Sequence, residues 1–158
     1  MMNHVHIKSP IGMLCIEGDD KFISAIKFDC KSVEICSTSV LEDCVKQLNE
    51  YFNKERTIFT IPILPNGTKF QQDVWKHVLR IPFGKTRSYL DIAKELGNEK
   101  KLRAVGNANS KNQIPILIPC HRVIGSKGAL VGYAGGIDKK EWLLKHEGAI
   151  RQLDLFNS

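Results

Sequence analysis

A chain of 158 residues that is 42% hydrophobic and 25% charged can bury one substantial core or two small ones, which excludes a disordered chain and a miniprotein that needs staples. Its formal charge of +6 is uneven: residues 1–65 carry 7 Lys+Arg against 9 Asp+Glu, and residues 66–158 carry 16 against 8, so a polyanion such as nucleic acid would meet the C-terminal part, although an ordinary basic surface has the same composition. No apolar stretch approaches the roughly 20 residues that span a bilayer, no basic-then-apolar leader opens the chain, and five cysteines without a CxxC pair suit reduced thiols, so the reading is a soluble cytoplasmic protein with no membrane partner.

HVHIK, MLCIE and KFISAIKF, separated by SPIG and GDD, predict three short strands in an antiparallel meander. Ser39 and Glu42 have capping-box spacing, and Val40, Leu41, Cys44, Val45, Leu48, Tyr51 and Phe52 recur at helical intervals, which predicts a helix over 39–53. TIFTIPI then reads as one more strand. The PNG turn at 65–67 marks the expected boundary between an N-terminal β-rich domain, 1–65, and a second domain, 66–158.

Beyond the boundary, Thr68 and Gln71 form a second capping box ahead of the stripe Phe70, Val74, Trp75, Val78, Leu79 and Ile81, which Pro82 ends. PFGKT is a turn. Ser88 caps a helix that runs to about Leu96 and stops at Gly97, and KLRAVGNANS is a second helix after a short linker. Two short helices joined by a glycine-containing turn in a basic region resemble a helix-turn-helix. The second of them is bare: Ala104, Val105, Gly106, Asn107 and Ala108 follow Arg103, so one long cation would project from a helix able to lie close to a groove. The same small residues would equally let this helix pack tightly on its neighbour.

IPCHRVIG, residues 118–125, carries the chemistry. A cysteine here is a buried packing residue, a metal ligand or a nucleophile, and no zinc-type spacing supports the second. As a nucleophile Cys120 needs help, because a free thiol with a pKa of about 8.5 is mostly protonated at neutral pH. His121 is adjacent in sequence, but adjacent side chains often diverge, so it would act through fold geometry or a bridging water and would need a carboxylate to fix its tautomer. Glu147, near the end of a helix that Asp138 is expected to cap, is the candidate; it is alternatively a solvated charge at a helix end.

The order RAVGNANSKNQIPILIPCHRVIG, GYAGG, KKEWLLKHEG resembles the O6-alkylguanine-DNA alkyltransferase family over about residues 66–148, while the first 65 residues fit it only loosely. The resemblance implies an α/β fold of the α+β kind: a small N-terminal β-sheet domain of ribonuclease-H-like shape and a C-terminal helical domain with the helix-turn-helix. It implies direct-reversal DNA repair, in which O6-alkylguanine, with O4-alkylthymine as an alternative lesion, is flipped from duplex DNA and its alkyl group passes irreversibly to Cys120.

By the same resemblance His121 deprotonates Cys120 through water, Glu147 orients His121, Asn112 is the hinge asparagine before the active-site segment, and Tyr89 helps rotate the nucleotide and protonates the departing base. Arg103 fills the space of the displaced base, with Ser88, Tyr89, Ala104 and Asn107 as the further DNA-facing residues. Tyr133, Ala134 and Val123 line the base pocket, where Ala134 stands in place of a serine found in some relatives. The expected partner is double-stranded DNA containing alkylated guanine, bound by a monomer.

No cofactor is expected, because the damaged DNA supplies the alkyl group. No structural metal is expected either: Cys15 and Cys30 with His4 or His6 do not reproduce the zinc-ligand spacing of some relatives, and Cys15, Cys30, Cys36 and Cys44 read as structural. A thioether resists water, so the chain would act once. A damage-binding relative without an acceptor cysteine is disfavoured by Cys120. A cysteine hydrolase using Cys120, His121 and Glu147 would have no need of Arg103, and a pure DNA-binding regulator leaves PCHRV unexplained.

Overall fold

The structure is a computed structural model and describes residues 2–30 and 36–150. The chain divides into two compact units, Met1–Asn66 with Gln113–Leu117, and Gly67–Asn112 with Ile118–Ser158.

In the first unit β1 (Asn3–Ser9), β2 (Gly12–Gly18) and β3 (Ile23–Phe28) form an antiparallel sheet in the order β1-β2-β3. Alternation decides the faces. Val5, Ile7, Leu14, Ile16 and Ile26 are buried on one side, against α1 (Ser39–Phe52), whose Leu41, Cys44, Leu48 and Tyr51 are fully buried. Burial, with a smaller push from the charge of Asp43, raises the Cys44 thiol to about 12, so this cysteine is an inert core residue.

Two local expectations are corrected here. The N-cap of α1 is Thr38, whose Oγ1 accepts the Leu41 N–H at 3.3 Å, and Ser39 is the first helical residue. Both residues are competent caps, and the extended backbone of Thr38 decides between them. The stretch 57–63 is not a strand. Only Ile63 makes a bridge, to Ile23, and Pro62 has no N–H to offer a ladder. The Gln47 side chain instead takes the Thr60 N–H at 2.9 Å and donates to Thr60 Oγ1 at 2.8 Å, which withdraws one backbone donor from a ladder here.

The second unit is helical. Its first helix, α2 (Lys69–Leu79), opens on the expected Thr68–Gln71 capping box. Buried Trp75 donates its indole N–H to Ala108 O at 2.9 Å and so fixes α2 against α4 (Leu102–Ser110). Gly67 is required beneath it, since a Cβ there would lie 2.5 Å from the Trp75 ring. A two-residue strand, β4 (Arg87–Ser88), leads into α3 (Tyr89–Glu95), which is capped by Ser88 through the Asp91 N–H as expected and stopped at Gly97 with φ +86. A 3-10 turn at Glu99–Lys101 feeds α4, completing the helix-turn-helix order.

Residues 120–122 form another 3-10 turn, β5 (Val123–Ile124) pairs in parallel with β4, and α5 (Ile137–His146) follows. Its N-cap is Gly136 rather than Asp138; Asp138 sits in the first turn, where its carboxylate still meets the positive end of the helix without a capping bond. Among the described residues no helix is long and apolar enough to cross a membrane.

Trp75→Phe removes ring volume and strands the buried Ala108 carbonyl, so it should lower unfolding stability by about 1–3 kcal/mol. Urea unfolding followed by circular dichroism checks this.

Candidate active site

Three elements of the second unit converge on Cys120. The β4–β5 pairing sets Arg87 opposite Val123 and Ser88 opposite Ile124, which brings the start of α3 beside the chain leaving the Cys120–Arg122 turn. From α4, Asn109 Nδ2 donates to Cys120 O at 3.2 Å. Just past α4, Asn112 Nδ2 donates to Ile118 O at 2.9 Å. That second bond joins the two ends of the short excursion 113–117, in which Ile116 takes a φ of +75, a strained value for a β-branched residue.

His121, Arg122 and Glu147 form a buried network. The His121 and Glu147 side chains are fully inaccessible, and His121 Nε2 donates to Glu147 Oε2 at 2.7 Å. Arg122 closes a two-pronged contact on the same carboxylate, Nε to Oε1 at 2.8 Å and Nη2 to Oε2 at 3.0 Å, and gives Nη1 to Ile81 O at 2.7 Å. Burial by itself would raise the Glu147 carboxyl, but the His121 and Arg122 bonds and charges together hold it well below the usual carboxylate range. Burial lowers His121, against the opposing pull of Glu147. The imidazole is therefore neutral, its Nε2–H spent on Glu147, and its buried Nδ1 has no hydrogen-bond partner among the described residues.

The thiol is set in the same dry interior. Burial pushes Cys120 up to about 11, and a hydrogen bond from Asn112 and the charge of Lys140 oppose it. Lys140 is itself fully buried, donating to Val123 O and Val131 O at 2.7 Å each, with its ammonium 5.8 Å from the Tyr89 ring centroid. Burial brings it down to about 8. Tyr89 donates its hydroxyl to Val131 O at 3.0 Å, and burial raises its pKa while a bond to Asn109 opposes the shift. A protonated thiol, a neutral base and a buried cation can together generate a thiolate without bulk water.

Of the residues expected at the site, Cys120, His121, Glu147, Asn112 and Tyr89 join this network. Tyr133 and Val123 are buried, and Ala134 is exposed. Arg103, Ala104 and Asn107 share the exposed face of α4, whose opposite face buries Val105, Ala108 and Asn109. Ser88 is half-buried with its hydroxyl committed to capping α3. An open cleft of about 370 Å³ beside this face is lined by Tyr89, Leu90, Leu102, Gly106 and Ser126.

Sequence reasoning missed Lys140, Arg122 and Asn109. Lys140 had a signal, since it precedes buried Leu143 and Leu144 by three and four residues and so falls on the inward face of α5. Asn109 had the same one, lying four residues after Val105. Among the described residues the second unit holds no grouping of three metal-ligand side chains.

The family model described as "6-O-methylguanine DNA methyltransferase, ribonuclease-like domain" matches residues 2–65, and that described as "6-O-methylguanine DNA methyltransferase, DNA binding domain" matches residues 69–149. A methylated-DNA--protein-cysteine methyltransferase of Methanosarcina acetivorans is 43% identical over 155 residues, covering 94% of this chain and 99% of its own. The crystal structure of the Mycobacterium tuberculosis O6-methylguanine methyltransferase aligns with a TM-score of 0.85 at 41% identity over 99% of both chains. A structure of the M. tuberculosis protein in complex with DNA aligns with a TM-score of 0.85 over 97% of this chain and 98% of that one, at 42% identity.

Glu147→Gln leaves the Arg122 guanidinium buried without its counter-charge, and should cost about 3 kcal/mol or more of stability. Urea unfolding of the variant against the parent checks this.

Proposed function

Because the chain belongs to the 6-O-methylguanine DNA methyltransferase family, we propose that it repairs O6-alkylguanine in duplex DNA by moving the alkyl group to Cys120, once per molecule. The observation that carries this reading is the neutral His121, fixed by Glu147 and presenting a bare Nδ1 in the turn that holds Cys120. Its relatives' names and a relative's DNA complex support the same direction.

The lesion lies inside the stacked duplex, so the nucleotide must be extruded at a cost of a few kcal/mol. The exposed face of α4 suits extrusion, because Arg103 is long enough to occupy the gap while Ala104, Gly106 and Asn107 let the helix approach the groove. Ser88 and Tyr89 open the neighbouring helix α3 and flank the strand. Tyr133, Ala134 and Val123 line the base pocket, where Ala134 offers a backbone N–H and no hydroxyl.

In the chemical step the Cys120 proton passes to His121 Nδ1 through a water, and the thiolate attacks the alkyl carbon in line with its bond to O6. The S–C bond forms as the C–O6 bond breaks. Tyr89, which now lends its hydroxyl proton to Val131 O, redirects it to the departing guanine, and the histidinium proton restores the tyrosine through solvent. Lys140 stabilises the sulfur anion while it exists. The product thioether is stable to water and no second nucleophile removes it. No cofactor enters the step. The reading includes an N-terminal domain over 1–65, a DNA-binding and alkyl-acceptor domain over 66–158, a monomer as the active species, and a cytoplasmic location.

Intact-protein mass spectrometry with peptide mapping, after incubation with excess duplex carrying one O6-methylguanine, should give one methyl on Cys120 and saturate there. No adduct on reduced, folded protein that still binds the duplex would overturn the assignment. Arg103→Ala should slow repair of duplex about 10- to 100-fold more than reaction with free O6-alkylguanine, since only the duplex has a gap to fill; equal losses would remove that role.

The pH dependence has a defined sign. Burial lowers His121, so the base stays neutral below the free-histidine value, and the thiol titrates only near 11. The single-turnover rate should therefore be highest between about pH 6.5 and 8, falling in more acid solution as His121 is protonated and falling above about 8 as Lys140 loses the charge that stabilises the sulfur anion. An acid-limb midpoint above the free-histidine value would show that His121 is not the base.

A further inference from the structure

The polar face of the N-terminal sheet holds a group that alkyl transfer does not use. On β1, Val5 and Ile7 face the core, so His4 and His6 face away from it. The β1–β2 register puts His6 directly opposite Cys15 and His4 opposite Glu17, and Cys30 follows two residues after β3. One ring nitrogen of His6 and the sulfurs of Cys15 and Cys30 all lie within 4.8 Å of one another.

Cys15 is enclosed at the centre of this cluster, with His6 and Cys30 half-buried beside it. Cys15 is 3% exposed and shares a side-chain hydrogen bond with Cys30. His6 Nε2 is buried and has no hydrogen-bond partner among the described residues, which is a costly arrangement for a ring nitrogen. The adjacent carboxylate is already paired: Glu17 meets Lys27 at 2.8 Å. Two sulfurs and an imidazole nitrogen are a borderline-soft ligand set that favours zinc-class ions over calcium or magnesium. A tetrahedral ion with bonds of about 2.3 Å to sulfur and about 2.0 Å to nitrogen separates its ligand atoms by about 3.5–3.8 Å, which falls within the observed spacing.

We propose that His6, Cys15 and Cys30 form a binding site for a thiophilic, zinc-class cation, with the fourth position open to water. Each thiol releases its proton to solvent as its sulfur bonds the ion, so affinity falls in acid. The bound ion ties β1, β2 and the chain leaving β3 together. The sequence expectation of no metal rested on linear spacing, and the ligands come together through strand register instead. Nothing in the site involves Cys120, so its fate is separate from that of the alkyl-acceptor reading.

The test is cobalt(II) titration of the reduced, metal-stripped full chain, followed by thiolate-to-cobalt charge-transfer absorption and displacement by zinc. One equivalent should saturate the band, with Cys36→Ser, Cys44→Ser and Cys120→Ser unaffected. Cys15→Ser and Cys30→Ser should abolish it, and His6→Gln, at a half-buried position that tolerates change, should weaken binding at least about tenfold. Saturating zinc should raise the parent's melting temperature by about 5 °C or more and leave His6→Gln nearly unmoved. No band, a band that survives in the cysteine variants, or a Cys15–Cys30 disulfide in the isolated chain with no metal uptake after reduction would each overturn the proposal.

Discussion

A carboxylate without water is the constraint around which the second unit is arranged. Glu147, fully inaccessible, would protonate in that setting if left alone, since the charged form forfeits its hydration. Two bonds from Arg122 and one from His121 prevent this. Arg122 is buried as well, and it spends its remaining donor on Ile81 O. Once the carboxylate is fixed as an anion, the histidine tautomer is fixed with it. The proton sits on Nε2 toward Glu147, and Nδ1 is left as a lone pair. Arg122 thus orients the base indirectly, by holding the group that holds it.

The same dryness explains the resting thiol. Burial disfavours the thiolate at Cys120 and the ammonium at Lys140, so each is shifted toward its neutral form. Formation of the sulfur anion beside the cation relieves both penalties together. A nucleophile poised this way is protonated in the free protein and becomes an anion only when its proton is taken. That suits a chain whose product ends its use, because reaction with a stray electrophile would be as final as repair.

Elements with local signals were legible in the sequence. The capping boxes at Thr68 and Ser88, the Gly97 stop and the alternation of β1 to β3 are each set by neighbours within a few residues, and each was found where expected. The exposed face of α4 followed from its small residues. Failures came where a distant side chain decided the outcome. Gln47, thirteen residues away from Thr60, takes a backbone donor that strand pairing over 57–63 would need. Arg122 sits in an apolar run, and only the arrival of Glu147 makes its burial tolerable.

One helix carries both an exposed face with Arg103 and a bond to the Cys120 backbone. The 3.6-residue period of α4 places Arg103, Ala104 and Asn107 outward, and turns Asn109 inward onto the carbonyl of Cys120. Asn112, just beyond the same helix, holds Ile118 O two residues before the nucleophile and also bonds to its thiol. The backbone on either side of the reacting sulfur is therefore fastened to the helix that would enter the groove. A displacement of α4 against the duplex must carry Cys120 with it, since the alternative is to strand two buried amide groups at about 1–3 kcal/mol each. The spacing between the exposed Arg103 of α4 and the Cys120 turn is consequently set by these hydrogen bonds within the second unit.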